Sequence, residues 1–149
     1  MPYWLMKSEP AEFSIENLEQ LGESRWDGVR NYQARNFMRE MAEGNAFFFY
    51  HSSCATPGVA GIGRIIRAAY PDPTAVDPDS AYFDPKASEH RNPWSAVDVG
   101  FVERFDATLP LPRLKSLPAL SQLSLVQKGS RLSVMPVRES EWLAILTIR

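Results

Sequence analysis

The stretch Ala46-Phe47-Phe48-Phe49-Tyr50 constrains the fold more than any other, because it is apolar at every position. Side chains of a strand point alternately to opposite faces, so this run has no polar face to offer to water. It predicts a central strand over Ala46 to Ser52, paired on both edges and covered on both faces. Alternation and β-rich composition predict further strands at Tyr3 to Lys7, Val59 to Ala69, Val97 to Phe105 and Leu132 to Val137. In the strand over Val97 to Phe105, Val97, Val99 and Phe101 alternate with Asp98 and Gly100, so one of its faces is only partly buried. Five strands suggest a sheet or a barrel.

Helix signals fall between the strands. Ser14 is a suitable N-cap for a helix over Ile15 to Leu21 with Gly22 as its stop, and Asn31 for one over Tyr32 to Ala42 with Gly44 after it. In the second, Ala34, Phe37, Met38, Met41 and Ala42 form a core-facing stripe and leave Gln33, Arg35, Asn36 and Arg39 for water or a ligand. Ala119 to Val126 and Glu139 to Leu146 read as two more short helices, the last with Trp142, Ile145 and Leu146 on one side. Residues 71–94 hold Pro71, Pro73, Pro78, Pro85 and Pro93 among Asp72, Asp77, Asp79 and Asp84, which neither a ladder nor a helix accommodates. A long loop is predicted there, packed down by Tyr82, Phe83 and Trp94.

With 149 residues, 44% of them apolar, the chain reads as one globular domain over 1–149 that needs no staple. Its single cysteine, Cys54, makes neither an internal disulfide nor a four-ligand zinc site, which points to a reducing, cytoplasmic setting and to no metal or cofactor. No apolar run approaches the roughly 20 residues that span a bilayer, and Tyr3 to Met6 lacks a basic leader, so neither membrane insertion nor secretion is expected. The net charge of −2 argues against a protein that coats nucleic acid through its phosphates. The charge is unevenly placed, however. Residues 107–138 hold Arg113, Lys115, Lys128, Arg131 and Arg138 without one acid, and Arg25, Arg30, Arg35 and Arg39 form a second basic group. If the two share a face, a near-neutral protein shows a basic side.

Enzyme signatures fail one by one. His51 and Cys54 lack a third orienting group, no G-x-S-x-G elbow exists, and Lys7-Ser8 is no dyad without geometry. Gly58-Val59-Ala60-Gly61-Ile62-Gly63 lies within a strand pattern that no helix follows, so its glycines fit close backbone approach better than a dinucleotide. Asp72, Asp77 and Asp79 lack the glycine and closing glutamate of a calcium loop.

A polar and aromatic constellation remains: Lys7-Ser8, Trp26-Asp27-Gly28-Val29-Arg30-Asn31-Tyr32, and Tyr50-His51-Ser52-Ser53, each where a rigid element hands over to a loop. A Trp face stacks a flat ring, Ser and Asn bond its edge, and amides at the helix start near Asn31 favour a carbonyl or phosphate oxygen; those are the needs of a nucleobase pocket. Spacing alone favours the other reading, in which Trp26 anchors the core and Asp27 pairs with Arg30. Trp4 and Trp142, flanked by apolar residues, are assigned to the core.

The ordered segments Tyr3-Trp4-Leu5-Met6-Lys7-Ser8-Glu9-Pro10, Trp26 to Asn36, Phe49-Tyr50-His51-Ser52, Pro71-Asp72-Pro73-Thr74 and Arg131-Leu132-Ser133-Val134 resemble the EVE domain family from end to end. The resemblance implies an α+β, PUA-like fold: a mixed β-barrel of about five to six strands with short surrounding helices, related to YTH and ASCH domains. It implies a non-catalytic, monomeric module that holds a modified base of RNA or DNA, modified cytosine in particular. Carried onto this chain, the pocket involves Lys7, Ser8, Trp26, Asp27, Arg30, Asn31, His51, Ser52, Arg131 and Ser133. Trp26 is the stacking platform and Trp94 a second wall. The chain departs from the family pattern at Asn45, Met135 and Arg138, the last removing a helix cap worth about 1 kcal/mol. Two other functions stay open: an enzyme acting on a nucleotide or modified base with His51 or Asp27 as acid or base, and a protein-interaction domain with a vestigial pocket.

Overall fold

The computed structural model describes residues 2–149. The aromatic run becomes β3 (Ala46–His51), and it is central: β1 (Tyr3–Ser8) pairs with it in parallel and β4 (Gly58–Pro71) antiparallel. β5 (Ser95–Pro110) continues beyond β4, and the short edges are β2 (Glu23–Trp26) on β5 and β6 (Val134–Val137) on β1, giving the order β2-β5-β4-β3-β1-β6.

Both faces of β3 are indeed covered, by different partners. Phe47 and Phe49 join Trp4, Met6, Ile15, Leu18, Trp26, Ala34 and Met38 in one core. Phe48 and Tyr50 join Leu5, Leu114, Leu120, Leu123, Trp142 and Ile145 in the other. The first is roofed by α1 (Ile15–Leu21) and α2 (Tyr32–Glu40), the second by α3 (Leu111–Lys115), two 3₁₀ turns and α4 (Glu139–Ile148). Gly63 lies in β4 because Phe47 crosses it: an added Cβ would clash with that ring. The close backbone approach that the glycine-rich strand predicts is at Gly58 and Gly61, where an added Cβ would meet Leu109 O and Glu103 O of β5.

The expected closed barrel is corrected to an open, curled sheet. Register shifts bend the long strands β4 and β5, but β2 and β6 are only four residues each and pair along one edge. α2 packs on β4, β5 and β6, so a helix holds the space where those edges would have to meet.

Other corrections are local. β2 and α3 carry too short a pattern to be read in advance. Ala119 to Val126 is two 3₁₀ turns, Pro118–Leu120 and Ser124–Val126, separated by an extended Leu123, which lets Leu120, Leu123 and Leu125 enter one core. α2 ends at Glu40, leaving Ala42 exposed. Asn45, at one departure from the family pattern, is buried and accepts from Trp4 Nε1 and the Ala42 amide, both at 3.0 Å. At Arg138 half a cap survives, since Glu141 accepts from the Arg138 amide at 2.8 Å.

Candidate nucleobase cleft

The carboxyl ends of the parallel strands β1 and β3 stop side by side, and a cleft of about 650 Å³ opens there. Lys7, Ser8, Ser52 and Ser53 come from the strand ends, Trp26 from the end of β2, Asp27, Gly28, Val29 and Arg30 from the turn after it, and Arg131 and Ser133 from the approach to β6. These predicted residues are therefore together. Glu9, Glu12, Phe13, Ser24, Arg25 and Tyr82 complete the wall and were not anticipated.

Four predicted residues stand outside the lining, each with its polar or aromatic group in use elsewhere. Asn31 caps α2 by accepting from the Ala34 amide at 2.9 Å, so its side chain serves the helix. Tyr32 stacks on Trp94 with ring centres 4.7 Å apart. Trp94 also donates to Asp84 at 2.8 Å, which takes it out of the position of a second wall. His51 Nε2 accepts from the Ile15 amide at 3.1 Å and so holds the start of α1. Burial pushes the His51 pKa down, against a smaller upward pull from Glu16, which favours the neutral imidazole that this bond requires.

Trp26 lines the cleft and anchors the core at once. It is 7% exposed and meets Phe47 at 5.8 Å and Phe49 at 5.3 Å, edge to face. It forms the floor. The aromatic flank is Tyr82, delivered by the long loop: its ring lies over Gly28, where an added Cβ would stand 2.9 Å from it, and its hydroxyl donates to Glu12 at 3.1 Å. Gly28 has φ +76°, so a side chain there would face both backbone strain and the Tyr82 ring.

Arg30 holds this loop. Its guanidinium donates to Tyr82 O at 2.7 and 3.1 Å, Val29 O at 3.0 Å, Thr74 Oγ1 at 3.1 Å and Asp72 at 2.9 Å. Those bonds saturate its donors, so Arg30 shapes the cleft and has no N–H left for a ligand. Asp27 pairs with Arg25 at 2.8 Å and not with Arg30, the pairing expected in the core-anchor reading. Asp72 is fully buried and accepts from Gly28 N, Thr74 N and Thr74 Oγ1 besides Arg30. Burial alone would raise its pKa, but the bonds from Thr74, Gly28 and Arg30 outweigh that and hold the carboxyl below its usual range.

Only part of the expected basic face assembles here. Lys7, Arg25, Arg30 and Arg131 meet in the cleft, while Arg35 and Arg39 turn away to bond Pro93 O at 2.8 and 3.1 Å. Asp27 and Glu12 each have one carboxylate oxygen engaged. Their other oxygens are acceptors that a flat ring with an amino group can use. Among the described residues no cluster of three or more His, Cys, Asp or Glu stands as metal ligands would, and no helix is long and apolar enough to cross a membrane.

Comparison with known proteins extends the resemblance. A protein of Pseudomonas syringae superposes with a TM-score of 0.97 at 66% identity, covering 98% of both chains. Human thymocyte nuclear protein 1 is 40% identical over 98% of this chain and 73% of its own length. Human THYN1 in complex with DNA containing 5-methylcytosine superposes with a TM-score of 0.94, covering 99% of this chain and 97% of that one. An ASCH protein of Zymomonas mobilis, 10% identical over 98% of this chain and 97% of its own, shares the fold alone at a TM-score of 0.54. The EVE domain family model matches residues 2–148. The chain belongs to the EVE domain family.

Proposed function

We propose that this protein is a non-catalytic reader of modified cytosine in DNA, acting as a single-domain monomer that takes the extruded base into the β1/β3 cleft. The observation that carries the reading is the cleft's make-up: an aromatic floor and flank in Trp26 and Tyr82, with carboxylate acceptors and serines at its rim. A carboxylate suits the exocyclic amine of cytosine, which donates and does not accept. The complex of human THYN1 with 5-methylcytosine DNA supports the same ligand class. Extrusion costs a few kcal/mol and aromatic stacking returns about 1–3 kcal/mol, so affinity is modest and discrimination comes from the edge of the base.

The two residues that an acid or base role would fall to each carry a structural bond. His51 Nε2 accepts from the Ile15 amide and one Asp27 oxygen holds Arg25, which suits His51 to a structural role and leaves Asp27 one oxygen for recognition. The lone Cys54 fits a reducing compartment, cytoplasm or nucleus alike; relatives named for the nucleus fit the same chemistry. Titration with oligonucleotides of one sequence, as DNA and as RNA and with cytosine or 5-methylcytosine, tests the proposal. The methylated DNA is expected to bind best, and Tyr82→Ala to lose about 1–3 kcal/mol of that binding. Equal binding of all four oligonucleotides, or conversion of any of them on incubation, would overturn it.

A further inference from the structure

A second hollow, about 620 Å³, lies on the opposite side of the β1 end. Lys7, Lys115 and Lys128 line it together with Tyr50, Ser121, Gln127 and Ser130, and no carboxylate belongs to its wall. The absence of acids is written in the chain, since residues 107–138, which supply most of this wall, contain none. Lys115 and Lys128 are exposed and make none of the ion pairs described among residues 2–149.

The hollow and the cleft are neighbours across one ridge. Lys7 lines both. The segment after Lys128 runs from one to the other, with Gly129 and Ser130 in the hollow and Arg131 and Ser133 in the cleft, and Ser133 O accepts from the Lys7 amide at 2.8 Å. The loop that presents Lys128 is braced from within, by Gln127 donating to Ser121 O and by the Ser124 and Ser130 hydroxyls at 3.1 Å. Burial lowers the pKa of Lys7, which an approaching anion would reverse.

The geometry points to the hollow of Lys7, Lys115 and Lys128 as a seat for the phosphodiester backbone of the strand whose base enters the cleft. The inference rests on the cleft being a base-reading site and adds where the flanking phosphates run. A protein of net charge −2 cannot grip DNA by its whole surface. Of the two neighbouring hollows only the base cleft carries carboxylates, Glu9, Glu12 and Asp27, so the lysine hollow can hold phosphates while the cleft accepts a base amine next door.

The test uses the intact protein, a short DNA duplex with one central 5-methylcytosine, and the same duplex with plain cytosine, across a salt series. Lys115→Gln/Lys128→Gln is expected to reduce the slope of log affinity against log salt by about two, one per phosphate contact, for both duplexes alike. The ratio of methylated to plain affinity stays as in the parent. Arg64→Gln/Arg104→Gln, which also removes two charges, both outside the lining of the hollow and the cleft, controls for net charge and leaves the slope unchanged. An unchanged slope in the double lysine variant overturns the inference, as does an equal change in the double arginine variant. Loss of methyl preference in the parent protein would instead strike the base-reading proposal and leave the slope measurement to stand on its own.

Discussion

The two faces of the β1/β3 pair share their backbone and differ in how they end. On one face Leu5, Phe48 and Tyr50 run into a closed core roofed by α3 and α4, with Phe48 stacked on Trp142 at 3.9 Å. On the other, Trp4, Met6, Phe47 and Phe49 run into Ser8, Ser52 and the cleft. The apolar alternation is equally good on both faces, so burial does not distinguish them. The difference lies at the carboxyl ends of the strands, where leucine-bearing turns roof one face and leave the lysine-lined hollow outside them, while the other face opens into a cleft walled by a proline-rich loop strapped on through Arg30 and Asp72. Apolar periodicity builds the core; a few long-range polar bonds build the site.

The largest expected effects test whether the open face is truly core beneath its cleft. Phe48→Ala and Trp26→Ala are each expected to cost about 3–5 kcal/mol in urea unfolding, because both rings are at least nine-tenths buried. Similar losses would mean that Trp26 is a structural floor, and its contact with a base is then measured in Trp26→Phe, which keeps most of the packing. A Trp26→Ala protein destabilised by less than about 1 kcal/mol would break the comparison, since the ring would then be a free platform resting on the core and not part of it.

Next in size is the strap. Asp72→Ala removes the acceptor of Gly28, Thr74 and Arg30 and leaves a partly buried guanidinium without its carboxylate. A loss of about 2–3 kcal/mol is expected from charged hydrogen bonds of this kind. The Tyr82 flank should loosen with it, seen as faster amide exchange across residues 72–84 and weaker binding of methylated DNA. Stability lost with binding intact would show that the loop does not shape the cleft.

The same contrast explains what could be read in the chain. Phe47-Phe48-Phe49 announces a doubly covered strand because a two-residue period leaves no alternative, and residues at strand ends such as Ser8 and Ser52 follow from the strands. Tyr82 and Glu12 were not readable as partners, being 70 residues apart in a loop without periodicity. In the core-anchor reading Arg30 pairs with the nearby Asp27, whereas in the structure Asp72, 42 residues on, takes it. Proximity in sequence predicts pairs only where the backbone between them is regular. Here Gly28, with its positive φ, turns the chain between Asp27 and Arg30. The open sheet was unreadable for a related reason, since closure depends on β2, whose four residues Glu23–Trp26 carry no clear alternation.

The smallest expected effect concerns the hinge between the faces, where His51 ends β3 and starts α1. Its Nε2 accepts from the Ile15 amide, so the bond exists only while that nitrogen is unprotonated. Because burial depresses its pKa below the ordinary 6.5, the unfolded chain takes up the proton first as the pH falls. The stabilisation is therefore complete above about pH 6.5 and is lost as the pH drops through the lower folded value. In His51→Gln the side-chain carbonyl keeps an acceptor that does not titrate. Urea unfolding from about pH 7.5 to about pH 5 should show the parent losing about 1 kcal/mol more than this variant, the worth of one buried hydrogen bond. The cleft should respond as well, since Ser8 Oγ donates to Phe13 O at 2.7 Å, just ahead of α1, and a frayed start of α1 would release Phe13 from the wall. Parallel stability curves for parent and variant would show that His51 is protonated without cost, and that α1 is held by Ser14 and its apolar face alone.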